Sequence, residues 1–174
     1  MSGKLRFRGE SSHKVDSKGR VSIPAHFRRV LEEGDPEYRD AKAAGVSGAS
    51  PNVVIVYGNS KKDCLDCYTV EAMREIEEKI AKMPAGQAKR VMEYIFHGKS
   101  AVIAVDDSGR LVLSAKLREK AKLTDMAYFI SGGDHFKIWS PDVFEGAEAV
   151  SIEDWMDEQP DDFDPLELLN SVEV

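Results

Sequence analysis

The sequence predicts an α+β protein made of two similar β-rich half-domains, joined and flanked by helices. Three observations predict it. A fourteen-residue segment recurs ninety positions downstream without a gap. Each copy sits among short runs that alternate apolar and polar residues, the period of a half-buried strand. Between the copies, apolar residues recur with the period of an amphipathic helix.

The first copy runs Val15-Asp16-Ser17-Lys18-Gly19-Arg20-Val21-Ser22-Ile23-Pro24-Ala25-His26-Phe27-Arg28. The second runs Val105-Asp106-Asp107-Ser108-Gly109-Arg110-Leu111-Val112-Leu113-Ser114-Ala115-Lys116-Leu117-Arg118. Upstream, Phe7-Arg8-Gly9 is echoed by Phe96-His97-Gly98 with a one-residue offset. In each copy Asp first and Gly fourth is a type I turn signature, with Gly supplying the positive φ that follows. Val15 before the turn and Val21 and Ile23 after it predict a hairpin. Pro24 and Ser114 then open short helices, Pro in the first turn and Ser as an N-cap. Phe27, Val30 and Leu31 form the apolar face of the first helix; Leu117 and Ala121 form that of the second. Two further strands follow in each half: Val53 to Tyr57 with Cys64 to Tyr68, and Tyr128 to Ser131 with Phe136 to Trp139.

Between the halves, Met73, Ile76, Ile80 and Met83 make a stripe that predicts a helix from Val70 to Met83, broken by Pro84 and Gly86. Ala88, Val91, Met92 and Ile95 predict a second helix, antiparallel to it, and both stripes read as core or subunit interface. The expected organisation is a first repeat over residues 7–69, a helical pair over 70–97, a second repeat over 98–144 and an acidic tail over 145–174. Within the first repeat, residues 34–52 read as a long inserted loop. The tail reads as disordered or marginally ordered.

Several function classes lose support at this stage. No run approaches the roughly 18–20 apolar residues of a membrane span. The charged first residues lack the apolar stretch of a secretory signal, so a cytoplasmic address is expected. Cys64-x-x-Cys67 lies in a predicted strand, where residues i and i+3 sit roughly 10 Å apart and point to opposite faces. It therefore suits neither a metal nor a disulfide, and two buried or half-buried cysteines are expected. His13, His26, His97 and His135 are scattered, Gly132-Gly133-Asp134 is a hairpin turn, and no catalytic or phosphate-binding motif is present. The expectation is a protein without enzymatic activity, metal or cofactor.

Charge is unevenly spread. The net charge of the chain is −7, yet residues 1–31 carry a net +6 and residues 142–174 a net −12. An anion feels the local field of the basic end, not the whole-chain sum. On charge alone, a solvated basic face that binds nothing stays equally open. The repeated Asp and Arg also have two readings. Asp can cap the turn and hold Arg purely as structure. Alternatively, the turn lifts Lys18 and Arg20 to an exposed tip, where Asp16 orients the guanidinium for phosphate or for guanine O6 and N7.

These residues resemble the MraZ family. The resemblance rests on Phe7-Arg8-Gly9, Val15 through Arg20, Ile23 through Arg28, Cys64-Leu65, Asp106 through Arg110 and Phe136-Lys137-Ile138-Trp139, and it covers residues 7–144. It implies two tandem AbrB-like, swapped-hairpin-type β half-domains forming a pseudo-two-fold small barrel. It also implies a ring-shaped homo-oligomer that binds double-stranded DNA at short direct repeats upstream of its own cell-division and cell-wall operon, usually as a repressor. Carried onto this chain, the family's D-x-x-x-R signature falls on Asp16 and Arg20 and on Asp106 and Arg110. Lys18, Arg8, Lys14 and Arg28 are further expected DNA contacts. Asp107-Ser108 in place of Ser17-Lys18 makes the second tip less basic, so the first copy is expected to carry most of the contact. The competing expectation is a non-catalytic interaction scaffold that uses the acidic tail and helical pair.

Overall fold

In the computed structural model, which describes residues 4–173, six strands form one antiparallel sheet and two form a separate ribbon. The strands are β1 (Glu10–Lys14), β2 (Arg20–Ser22), β3 (Asn52–Val56), β4 (Cys64–Tyr68), β5 (Ser100–Ala104), β6 (Arg110–Val112), β7 (Met126–Ser131) and β8 (His135–Trp139). The sheet runs β1-β7-β8-β4-β3-β5, and the ribbon is β2-β6. This order reads the same from either end once the repeats are superposed. The first strand of each half lies on the other half's hairpin: β1 pairs with β7 and β5 with β3. The two hairpins, β3-β4 and β7-β8, join through β4 and β8 at the centre.

This exchange corrects the hairpin expected at each repeated turn. At the first, only a Val15–Val21 bridge and the turn itself hold the two arms together. Beyond it, β1 departs to β7 and β2 to β6. The physical reason is the partner available. Each arm finds in the other repeat both a strand to pair with and a shared core to fill. That core unites Phe7, Val21, Phe27 and Leu31 from the first half with Leu111, Phe129, Phe136 and Ile138 from the second. Its aromatic knot has Phe27 4.9 Å from Phe136 and Phe7 5.0 Å from Phe136, ring centre to ring centre.

Helices close the fold. α1 (Ala25–Glu33) buries Phe27, Val30 and Leu31, the face the sequence predicts. The segment 34–52, expected as a loop, contains α2 (Pro36–Ala43). Asp35 makes it possible: its carboxylate accepts the Tyr38 N–H at 3.1 Å as an N-cap and the Asn52 N–H at 2.9 Å, tying the helix start to β3. α3 (Val70–Ala81) is capped by Thr69 and buries Met73 and Ile80. It covers the second face of β3, so Val53 and Ile55 enter the main core while Val54 and Val56 pack with Met73. α4 (Gln87–Glu93) runs on into a wider turn, Tyr94–Gly98. α5 (Ala115–Lys120) is capped by Ser114, as expected, and buries Leu117. Cys64 and Cys67 are both buried in β4 and form no disulfide, with Leu65 and Cys67 on the core face and Cys64 on the other. Burial pushes the Cys67 thiol well above its ordinary range.

The chain divides into two compact units, the second starting at Asp142. That second unit, expected to be at best marginally ordered, contains a helix over Ala149–Asp157 and a short turn over Pro165–Leu169. The Asp164 carboxylate caps that turn, and the Trp155 and Phe163 rings meet edge to face at 5.9 Å.

Candidate nucleic-acid interface

The two D-x-x-x-R turns are built alike, atom for atom. In the first, Asp16 Oδ1 accepts the Lys18 and Arg20 backbone N–H groups, each at 2.9 Å, and Oδ2 accepts Arg20 Nε at 2.6 Å. The Gly19 N–H closes the turn on the Asp16 carbonyl at 2.9 Å. In the second, Asp106 Oδ1 accepts from Ser108 and Arg110, both at 2.9 Å, and Oδ2 from Arg110 Nε at 3.1 Å. The Arg20 backbone N–H, then its guanidinium, hold the Asp16 carboxyl down at about 2. The Arg110 backbone N–H is likewise the main cause that lowers Asp106. Each guanidinium is thus tied to its aspartate through Nε. A guanidinium fixed in this way is pre-oriented for paired hydrogen bonds to a phosphate or a base edge.

The exchanged fold places these turns side by side. β2 and β6 pair Arg20 with Val112, Val21 with Leu111 and Ser22 with Arg110. Val21 and Leu111 are buried, so the opposite face of the ribbon presents Arg20, Ser22, Arg110 and Val112. The two arginines stand on one diagonal of this face, about 7–8 Å apart at the backbone. Each turn is braced by the other repeat. The Gly19 carbonyl accepts the Leu113 N–H at 2.8 Å, and the Gly109 carbonyl accepts the Ile23 N–H at 2.9 Å. Gly19 has φ +82°, and a Cβ there would lie 2.1 Å from the Leu113 carbonyl oxygen, so both conformation and close approach require glycine.

The other expected contacts separate. Lys18 is exposed at the first tip, and Lys14 is exposed at the end of β1 that leads into it. Arg8 is exposed at the opposite end of β1, beside the Phe7 N–H that bonds the Gly133 carbonyl. Lys14 lies six positions further along the chain, up to roughly 20 Å away. Arg28 is half-buried against the second turn: its guanidinium lies within 2.6 Å of where a Cβ on Gly109 would stand. The residue that sequence reasoning missed is Arg118. Its Nε lies 3.2 Å from the corresponding point on Gly19, mirroring Arg28, and both Nε atoms are buried without a hydrogen-bond partner. The identical final Arg of the two copies is the signal that could have found it. Each arginine therefore supports the other repeat's turn from below. Among the described residues no cluster of side chains could hold a metal ion, and no helix is long and apolar enough to cross a membrane.

Fold and site together define a class: a tandem-repeat α+β protein that pairs two aspartate-locked arginine turns on one ribbon. The chain belongs to the MraZ family. It matches the family described as "MraZ protein, putative antitoxin-like" over residues 6–92 and 95–163. It is 52% identical over 166 residues to the transcriptional regulator MraZ of Ruegeria pomeroyi, covering 95% of each chain. It is 53% identical to the protein of that name from Ruegeria sp. over the same span. Against that of Coxiella burnetii, the identity is 30% over 154 residues, 88% of this chain and 89% of the other.

Proposed function

We propose that this chain is a non-catalytic, DNA-binding transcriptional regulator that inserts the β2-β6 ribbon into the major groove. The observation that carries the reading is the pair of Nε-locked arginines on one exposed ribbon face. A groove about 12 Å wide admits a two-stranded ribbon, and two guanidiniums on one diagonal fit within it. The names of the relatives, transcriptional regulator MraZ, support the same reading. The strand exchange between the halves supports the AbrB-like, swapped-hairpin architecture, with repeats over 7–69 and 98–144, the helical pair 70–97 and the tail 145–174 as its parts.

On this proposal the protein is a cytoplasmic, nucleoid-associated repressor of its own cell-division and cell-wall gene cluster. It acts as a ring-shaped homo-oligomer, since one ribbon binds weakly and arrayed ribbons compound their affinities on repeated sites. The first turn contributes more than the second. Lys18 is exposed at its tip, where the second turn carries Asp107 and Ser108.

The test is binding to DNA from upstream of the chain's own coding sequence, measured by fluorescence anisotropy across a salt titration. Wild type is expected to bind with a steep salt dependence. Arg20→Ala is expected to lose about five- to a hundredfold in affinity and Arg110→Ala less, each pair of hydrogen bonds to a base being worth about 1–3 kcal/mol. No binding by wild type to that fragment overturns the reading, and wild-type affinity in Arg20→Ala overturns the assignment of the tip.

A further inference from the structure

Resting on that reading of the ribbon, we infer that Val112 is a specificity-determining residue that packs its methyl groups against the 5-methyl of a thymine in the major groove. The ribbon's outward face carries four side chains, and three are polar: Arg20, Ser22 and Arg110. The fourth, Val112, is 52% exposed. It stands directly across the ribbon from Arg20, the more basic of the two tips. An apolar side chain is not needed to make the strand. Ser22 occupies the equivalent position in the first repeat, in a strand of the same length with the same burial pattern. Core packing does not call for it either, because the buried positions of the ribbon are Val21 and Leu111.

What suits an exposed valine beside a pre-oriented arginine is a ligand edge that offers one apolar group among polar ones. Along the major-groove edge of DNA that group is the thymine methyl, and the donors and acceptors around it suit Arg20 and Ser22. The repeats then differ in what they read. The Ser22 end of the ribbon meets a hydrogen-bonding base edge, and the Val112 end meets a methyl. A single chain therefore prefers one orientation on its site although its backbone is nearly two-fold symmetric.

The experiment removes only the methyl. The DNA fragment from upstream of the coding sequence is prepared once with thymine and once with uracil throughout, and anisotropy gives the affinity of wild type, Val112→Ser and Arg20→Ala at one salt concentration. Wild type is expected to bind the uracil fragment about fourfold more weakly for each contacted thymine, the worth of one buried methyl group. Val112→Ser is expected to bind both fragments alike. Replacing thymines singly then locates the contact beside the base pair whose loss matches Arg20→Ala. Equal binding of the two fragments by wild type, or the same thymine preference in Val112→Ser, overturns the inference. Arg20→Ala separates this result from the parent reading: if it loses binding while wild type ignores the methyl, the ribbon binds DNA and Val112 has no part in recognising it. If wild type binds neither fragment, both readings fall. Should Val112→Ser not fold, which its thermal transition reports, the wild-type ratio alone decides.

Discussion

At the scale of single residues, Asp16 does three things with one carboxylate: it accepts the Lys18 N–H within the turn, accepts the Arg20 N–H where the next strand begins, and aims the Arg20 guanidinium. All three are stronger with the carboxylate ionised. Its carboxyl titrates at about 2 against an ordinary 3.8, so the folded state holds the proton less tightly than the unfolded chain. Stability from this tie is therefore fully present above about pH 4 and is lost as pH falls through about 2. The prediction is a carboxyl titration for Asp16, followed by NMR, with its midpoint near 2. Asp16→Asn is expected to flatten the acid limb of stability between pH 4 and 2 and to weaken DNA binding at neutral pH, since the amide's oxygen serves the backbone N–H groups and its NH2 cannot accept from Arg20 Nε. A midpoint at the ordinary value would mean the Arg20 tie does not form in solution. This chemistry was legible in the sequence, because every partner of Asp16 lies within four residues. Arg28 and Arg118 were not legible in the same way. Their half-buried posts beneath the opposite turns depend on a chain segment ninety residues away.

At the scale of elements, α2 shows how one buried carboxylate can organise a segment that composition alone assigns to a loop. Gly, Ala, Ser and Pro dominate the far end of 34–52, yet Asp35-Pro36 is a helix start: an N-cap followed by proline in the first turn. Asp35 is 1% exposed and serves two N–H groups at once. Asp35→Ala is expected to cost about 2 kcal/mol, combining a lost cap with a half-buried Asn52 N–H left without its partner. Chemical denaturation measures it. Asp35→Asn, which can still cap, is expected to cost less, and an Ala variant within about 0.5 kcal/mol of wild type would contradict the double role. The periodic elements were easier to read. The stripe of α3 and the apolar faces of α1 and α5 follow from spacing, whichever surface they meet.

At the scale of the whole molecule, the exchange of β1 and β5 makes each half incomplete without the other. Phe7 and Phe27 from the first half pack on Phe136 of the second, so the core cannot be divided at the helical pair. Expressed separately, the fragments 4–84 and 85–141 are therefore expected to yield no folded monomer. Each is expected to be unfolded or a self-paired dimer, and mixing the two should restore the native fold. Light scattering with circular dichroism decides, and a folded monomeric fragment would contradict the exchanged topology. The separation of charge belongs to this scale too. The basic turns belong to the unit that ends at Pro141, and the net −12 of residues 142–174 belongs to the other.

The two turns with their glycines and arginines, and the periods of strands and helices, can be read along the chain because each rests on interactions within a few residues; the repetition is visible as identity at a spacing of ninety. The repetition is clear enough that burial of residues 101–110 repeats that of 11–20 position for position. Which strands pair, why the turns do not extend into hairpins, and that Arg20, Ser22, Arg110 and Val112 share one face emerge only in three dimensions. Those outcomes turn on which apolar surface each arm can bury, and that surface is supplied by the other repeat.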